Sequence, residues 1–364
     1  MDRWGRRGSN RISALLITFF TAAMGLTSSI PLLLISRFMI GIASGLGLCV
    51  GPIYLAEIAP LRIRGSVGIL TQLAIVSGVM GTQIAGINLA YASQWRLVFL
   101  VSFILSVLQL LSSSFVVESP AFLSALQRPD DHKAAAQRLW GNTASDETSL
   151  LDETDNRPPQ QQEIIFIPQL LVKPELRRPL AIVSLSMIAQ QISGVTAAVF
   201  YYSNDLLAKS LPQLGAYISL GITIINVLMT FPPIFLIERT GRRSLLTTSI
   251  LGALLSLVTV GFALDSGFST LASIAIVTFV MFYAIGLGPI PFVMIPDVSP
   301  PYAVSALSSV ALSTSWSTSF LVGLVFLPIR NILSGGDMYK EGRVFYVFGL
   351  LFGVASILLF RFYR

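Results

Sequence analysis

Glu238-Arg239-Thr240-Gly241-Arg242-Arg243 lies between two long apolar runs, 215–237 and 244–264, and the same pattern stands at the N-terminus as Asp2-Arg3-Trp4-Gly5-Arg6-Arg7. An acid and three arginines around a glycine, set between apolar runs, describe a short basic turn joining two membrane-crossing helices. Two copies of one turn indicate two copies of one unit, an organisation common among multi-span membrane proteins. The second copy is preceded by the apolar runs 180–203 and 215–237 and followed by four more. The first is followed by four and preceded by none. The repeat therefore predicts two further membrane helices ahead of Asp2.

Composition sets the solvent. Of 364 residues, 54% are hydrophobic and 12% charged, against about 25% charged in a soluble domain. Runs near the roughly 20 residues that cross a bilayer fall at 12–30, 31–55, 66–91, 96–117, 180–203, 215–237, 244–264, 271–293, 304–328 and 344–363. Ten spans, and an all-α membrane bundle, are expected, since lipid offers no partners for open sheet edges. The run at 12–30 follows Arg6, Arg7 and Arg11 as a signal peptide would, but nine further spans and the repeat make it a membrane helix.

Alternating the spans from a cytoplasmic N-terminus puts Arg3, Arg6, Arg7, Arg11, Arg62, Arg64, Arg239, Arg242 and Arg243 inside, with the basic residues of 118–178 and of the tail. The opposite face keeps only Arg37, Arg96, Lys209, Arg330, Lys340 and Arg343. This is the positive-inside bias, so the net charge of +6 is topological and no nucleic-acid partner is expected. Cys49 and His132 are the single cysteine and histidine, which leaves no metal-ligating set and no disulfide. No cofactor and no enzymatic chemistry is indicated.

The expected organisation is an N-terminal helical half over 1–117, a cytoplasmic linker with short helices over 118–178, and a six-helix C-terminal half over 179–364. Within the linker, 121–140 predicts one amphipathic helix. Residues 142–163, rich in Asp, Glu, Thr, Gln and Pro, predict a solvated tether.

Further motifs follow in order: Ser36-Arg37-Phe38-Met39-Ile40-Gly41, Glu57-Ile58-Ala59-Pro60-Leu61-Arg62-Ile63-Arg64-Gly65, Glu118-Ser119-Pro120, Gln190-Gln191-Ile192-Ser193-Gly194, Phe200-Tyr201-Tyr202-Ser203 and Gly288-Pro289-Ile290-Pro291. Together with the two basic turns, these resemble the sugar porters of the major facilitator superfamily, in the manner of animal facilitative hexose transporters. The resemblance runs the whole chain. It implies a major facilitator-type bundle that moves a hexose by alternating access, multi-pass in the plasma membrane, with a small-molecule sugar and the bilayer as its partners.

The resemblance implies that Asp2, Arg3, Arg6, Arg7, Glu57, Arg64, Glu118, Glu238, Arg239, Arg242 and Arg243 form cytoplasmic latches that stabilise one state. Basic turns that merely set orientation are the simpler reading. It also implies a hexose site at Gln72, Gln190, Gln191 and Asn226. Adjacent amides that both donate and accept suit sugar hydroxyls, although a mid-membrane amide also serves as glue between helices. Phe292 and Trp316 join that site, Trp316 as a surface on which a pyranose ring could stack. Gly288, Pro289 and Pro291, with Gly286, predict a bend for gating, since irregular backbone at membrane depth lines cavities.

The chain also departs from the family pattern. Val195-Thr196-Ala197-Ala198 follows Ser193-Gly194 where an asparagine is usual, and Ala284 stands where an acid is usual. Phe292 replaces a tryptophan, Ser315 and Ser319 replace asparagines, and Asp297 replaces a glutamate. Val304 and Ala121 replace arginines, and Met187-Ile188-Ala189 replaces Gln-Leu-Ser. Two alternatives stand beside facilitated transport: a truncated or splice form that does not transport, acting through partners, and a proton-coupled symporter.

Overall fold

The computed structural model describes residues 4–89, 94–126, 128–141, 167–194, 215–335 and 340–363. Over these the chain is helical: α1 (Gly5–Leu26), α2 (Ile30–Ile58), α3 (Arg64–Leu89), α4 (Trp95–Ser112), α5 (Pro120–Ala125), α6 (Pro129–Trp140), α7 (Ile167–Val172) and α8 (Pro174–Ile192). Then come α9 (Gly215–Thr240), α10 (Arg242–Asp265), α11 (Ser269–Phe282), a π-helical turn (Tyr283–Leu287), α12 (Ile290–Val298), α13 (Val304–Ser334) and α14 (Arg343–Phe362). Among the described residues, nine helices are long and apolar enough to cross a membrane. The remaining expected span, 180–203, is described as α8, which begins earlier at Pro174, and its residues 195–203 lie outside the described residues. The tether at 142–163 also lies outside them.

The single helix expected over 121–140 is two. Pro129 opens α6, and the residue before a proline is pushed away from helical geometry. Arg128 accordingly sits at φ −108°, ψ 79°, and the chain turns between α5 and α6.

Two compact units emerge. One comprises Met1–Val67, Ile84–Phe166 and Pro300–Ser305; the other comprises Gly68–Gln83, Ile167–Ser299 and Ala306–Arg364. In the first, α1 packs against α2 and α4 through small and hydroxyl side chains. Ala14 and Ala43 are fully buried, and Ser13 Oγ donates to the Ala43 carbonyl at 2.7 Å. Thr18 meets Ser106 at 3.0 Å, and Gln109 donates to Asn10 at 2.9 Å. Small residues let helix backbones approach, and polar side chains bond across them where lipid supplies no hydrophobic drive between helices.

The second unit has a conventional apolar core. Phe279, Phe326, Phe345 and Phe352 are fully buried with Leu246 and Met187, and Phe326 packs on Phe345 and Phe348 at ring separations of 6.0 and 5.6 Å. Here α10 lies against α11 and α14, and α14 against α8. The outer faces of α9, α10 and α14 present Phe235, Leu255 and Leu350, the apolar surface a bilayer requires.

Candidate functional site

In the second unit one membrane helix is broken in its middle. After α11 the chain makes the π turn, in which the Gly288 amide donates to the Tyr283 carbonyl at 2.9 Å, five residues back instead of four. Pro289 and Pro291 carry no amide hydrogen, so the break leaves backbone groups to be satisfied by neighbours. Side chains from two helices do this. Gln190 of α8, 2% exposed, donates through Nε2 to the carbonyls of Leu287 and Gly288, both at 2.9 Å. Ser249 of α10, fully buried, donates to the Phe282 carbonyl at 2.6 Å and accepts the Leu287 amide at 2.9 Å. The buried Tyr283 ring lies against the same turn, 3.3 Å from where a Cβ at Gly288 would stand. Gly286 permits the approach: a Cβ there would lie 2.6 Å from the Leu245 carbonyl oxygen and from Ser249 Cβ.

Of the other expected sugar-site residues of this unit, Gln72 meets the break. Gln72 of α3 is buried and lies over Gly288, so that a Cβ at Gly288 would be 3.1 Å from Gln72 Nε2. Gln72, Gln190 and the Gly288 turn thus come together. Gln191 points elsewhere, donating to Ser315 Oγ at 2.9 Å; Ser315, a substituted position, is buried on α13. Trp316, the next residue, is exposed, whereas Phe292 on α12 is buried. Asn226 of α9 is half-buried, and its Oδ1 atom is buried with no hydrogen-bond partner among the described residues.

The first basic turn belongs to the first unit, and it is built tightly. Gly5 has φ +73°, and a Cβ there would fall 2.3 Å from Glu118 Oε2, so the position demands glycine on conformation and on space. The Glu118 carboxylate accepts the amides of Arg6 at 2.9 Å and Arg7 at 3.2 Å. It therefore caps α1 with negative charge where the helix dipole favours it. The Arg6 guanidinium engages both carboxylate oxygens of Glu57 at 2.9 and 2.7 Å and stacks on Phe122 at 5.1 Å. Arg7 donates to the Ser113 and Ser114 carbonyls at 3.1 and 2.7 Å. Trp140 Nε1 on α6 donates to the Ile58 carbonyl at 3.0 Å, beside Glu57. Arg64 begins α3, half-buried. Asp2 and Arg3 lie outside the described residues, as do Tyr201 and Tyr202.

The second turn, in the second unit, repeats the first. Gly241 has φ +80°, and Arg242 pairs through Nε with Asp297 Oδ2. Glu238, Arg239 and Arg243 are exposed. Tyr363 neighbours this pair. Burial, and then the Asp297 carboxylate, hold its phenol above the ordinary 10.0, so it stays protonated and able to donate a hydrogen bond.

The residues that sequence reasoning did not single out are Ser249, Tyr283, Phe122 and Trp140. A serine facing a Gly-x-Gly-Pro break was the available signal for Ser249. Nothing local marks the others, since each gains its partner through tertiary packing.

Known proteins resemble this chain over its length. The family described as Sugar (and other) transporter matches residues 1–363. The chain is 31% identical over 377 residues to the facilitated glucose transporter member 3 of Oryctolagus cuniculus, covering 100% of this chain and 74% of that protein. It is 33% identical over 363 residues to the Ovis aries member 3, covering 95% of this chain and 72% of that protein. Among solved structures, the major facilitator superfamily proton:xylose symporter XylE bound to 6-bromo-6-deoxy-D-glucose superposes with a TM-score of 0.82 at 21% identity, covering 100% of this chain and 81% of that one. At that identity the superposition speaks for the fold.

Proposed function

The chain belongs to the sugar transporter family, and on that premise we propose that it moves a glucose-like hexose across the plasma membrane by facilitated, alternating-access transport. The observation that carries the reading is the amide cluster at the broken helix: Gln190 and Gln72 gathered at Gly288, with Asn226 offering a buried acceptor that has no described partner. A neutral, hydroxyl-rich ligand suits neutral amides that donate and accept, because it satisfies them without bringing charge into hydrocarbon. Trp316, exposed beside Ser315, is the aromatic face for the sugar ring. The facilitated mode follows the relatives, which are facilitated glucose transporters.

The two basic turns are the latches of the cycle. Each ties the start of one helix to an acid at the end of another, Arg6 to Glu57 and Arg242 to Asp297. The working division is 1–117 and 179–364 as the two halves, with 118–178 as the cytoplasmic linker.

Stereospecific binding tests the site. D-glucose at saturating concentration is expected to raise the melting temperature of the purified chain, and L-glucose to leave it unchanged; the Gln190→Ala and Asn226→Ala variants lose the shift. Equal shifts with both enantiomers would overturn the assignment.

A further inference from the structure

A π turn frees backbone groups that the regular helix would pair, and at membrane depth each one left unpaired is costly. Around residues 282–288 the supply is divided. Gln190 takes the Leu287 and Gly288 carbonyls on one side. On the other, a single hydroxyl serves both ends of the turn: Ser249 Oγ donates to the Phe282 carbonyl just before it and accepts the Leu287 amide at its last residue. That hydroxyl is fully buried, and the chain can bring it so close because Gly286 has no side chain to meet Ser249 Cβ.

We propose that Ser249 is the positioning residue of this hinge: its hydroxyl bridges the two ends of the π turn, fixes the Leu287 peptide whose carbonyl Gln190 grips, and sets the bend the helix must flex during transport. Ser249 reaches the sugar site only through the backbone. Its removal therefore changes the mobility of the turn and the rate of conformational exchange before it changes sugar affinity. Leu287 makes the link direct, since its amide is held by Ser249 and its carbonyl by Gln190.

The kinetic arm of this inference rests on the transport reading; the structural arm does not. Hydrogen–deuterium exchange of the full chain in detergent reads the structural arm. In Ser249→Ala, peptides spanning 283–288 are expected to exchange at least tenfold faster than in wild type, while peptides from the first turns of α10 and from α14 keep wild-type rates. Ser249→Cys, nearly the same size with a weaker hydrogen-bonding group, falls between, and it carries the comparison alone if the alanine variant does not fold. Unchanged exchange at 283–288, or a uniform loss of protection across the second unit, would overturn the proposal. In proteoliposomes, Ser249→Ala is expected to alter D-glucose turnover at least threefold with KM within twofold, and an effect confined to KM would overturn the positioning role. If wild type carries no sugar while 283–288 still responds to Ser249→Ala, the hinge stands and the transport reading falls.

Discussion

Arg6 grips Glu57 with two parallel hydrogen bonds and the pair is 9% and 16% exposed, whereas Arg242 meets Asp297 through one nitrogen and that pair is 30% and 19% exposed. Both turns use a glycine at positive φ and an arginine in the same position of the pattern, and both acids end a helix. What differs is the surrounding support. The first turn is also capped by Glu118, faced by Phe122, and braced where Trp140 holds the Ile58 carbonyl. The same sequence device thus produces a consolidated joint in one unit and a lighter one in the other. A latch that must open is better served by the lighter form, because a bidentate, desolvated arginine–carboxylate pair is expensive to separate.

The comparison can be broken by mutation. Glu57→Gln leaves the Arg6 guanidinium without its carboxylate in a nearly buried place, where removing one partner costs about 3 kcal/mol or more; the largest fall in melting temperature is expected here. Glu118→Gln weakens charge-assisted bonds to the Arg6 and Arg7 amides and is expected to cost about 2 kcal/mol, read by the same thermal melts. Asp297→Asn, in the more solvated pair, is expected to cost about 1 kcal/mol or less. If Asp297→Asn destabilises as much as Glu57→Gln, the contrast between the turns is wrong.

A second comparison lies within the adjacent amides. Gln190→Ala strands two backbone carbonyls and is expected to lower D-glucose uptake about tenfold, the equivalent of 1.4 kcal/mol. Gln191→Ala loses one hydroxyl partner and is expected to lower it by about threefold, since a neutral hydrogen bond contributes only about 1 kcal/mol net. Initial uptake rates, normalised to protein in the vesicle, decide the order.

Much of this was legible in the chain. Length and hydropathy placed the spans, because membrane helices are written in long apolar runs, and the Gly-Pro cluster at 286–291 announced the broken helix. The repeat of the basic turn announced its two-fold use. What the sequence could not reveal was pairing. Glu238 was the acid expected to serve the second turn, and only packing brings Asp297, from a distant helix end, to Arg242 and leaves that pair more exposed than Arg6 and Glu57. Gln190 and Gln191 read as twins, yet a helix turns about 100° per residue and sends them to different neighbours. The single helix expected over 121–140 is two because the amphipathic pattern carries no mark of the restriction that Pro129 places on Arg128.

The most direct test of the account is uptake of D-glucose into proteoliposomes containing the purified chain, with L-glucose as the control and with the proton gradient present or collapsed. The account predicts saturable, D-selective uptake, accelerated by sugar on the far side and indifferent to the gradient. Uptake that requires the gradient would contradict the facilitated mode, and flux of D-glucose no greater than that of L-glucose would contradict transport itself.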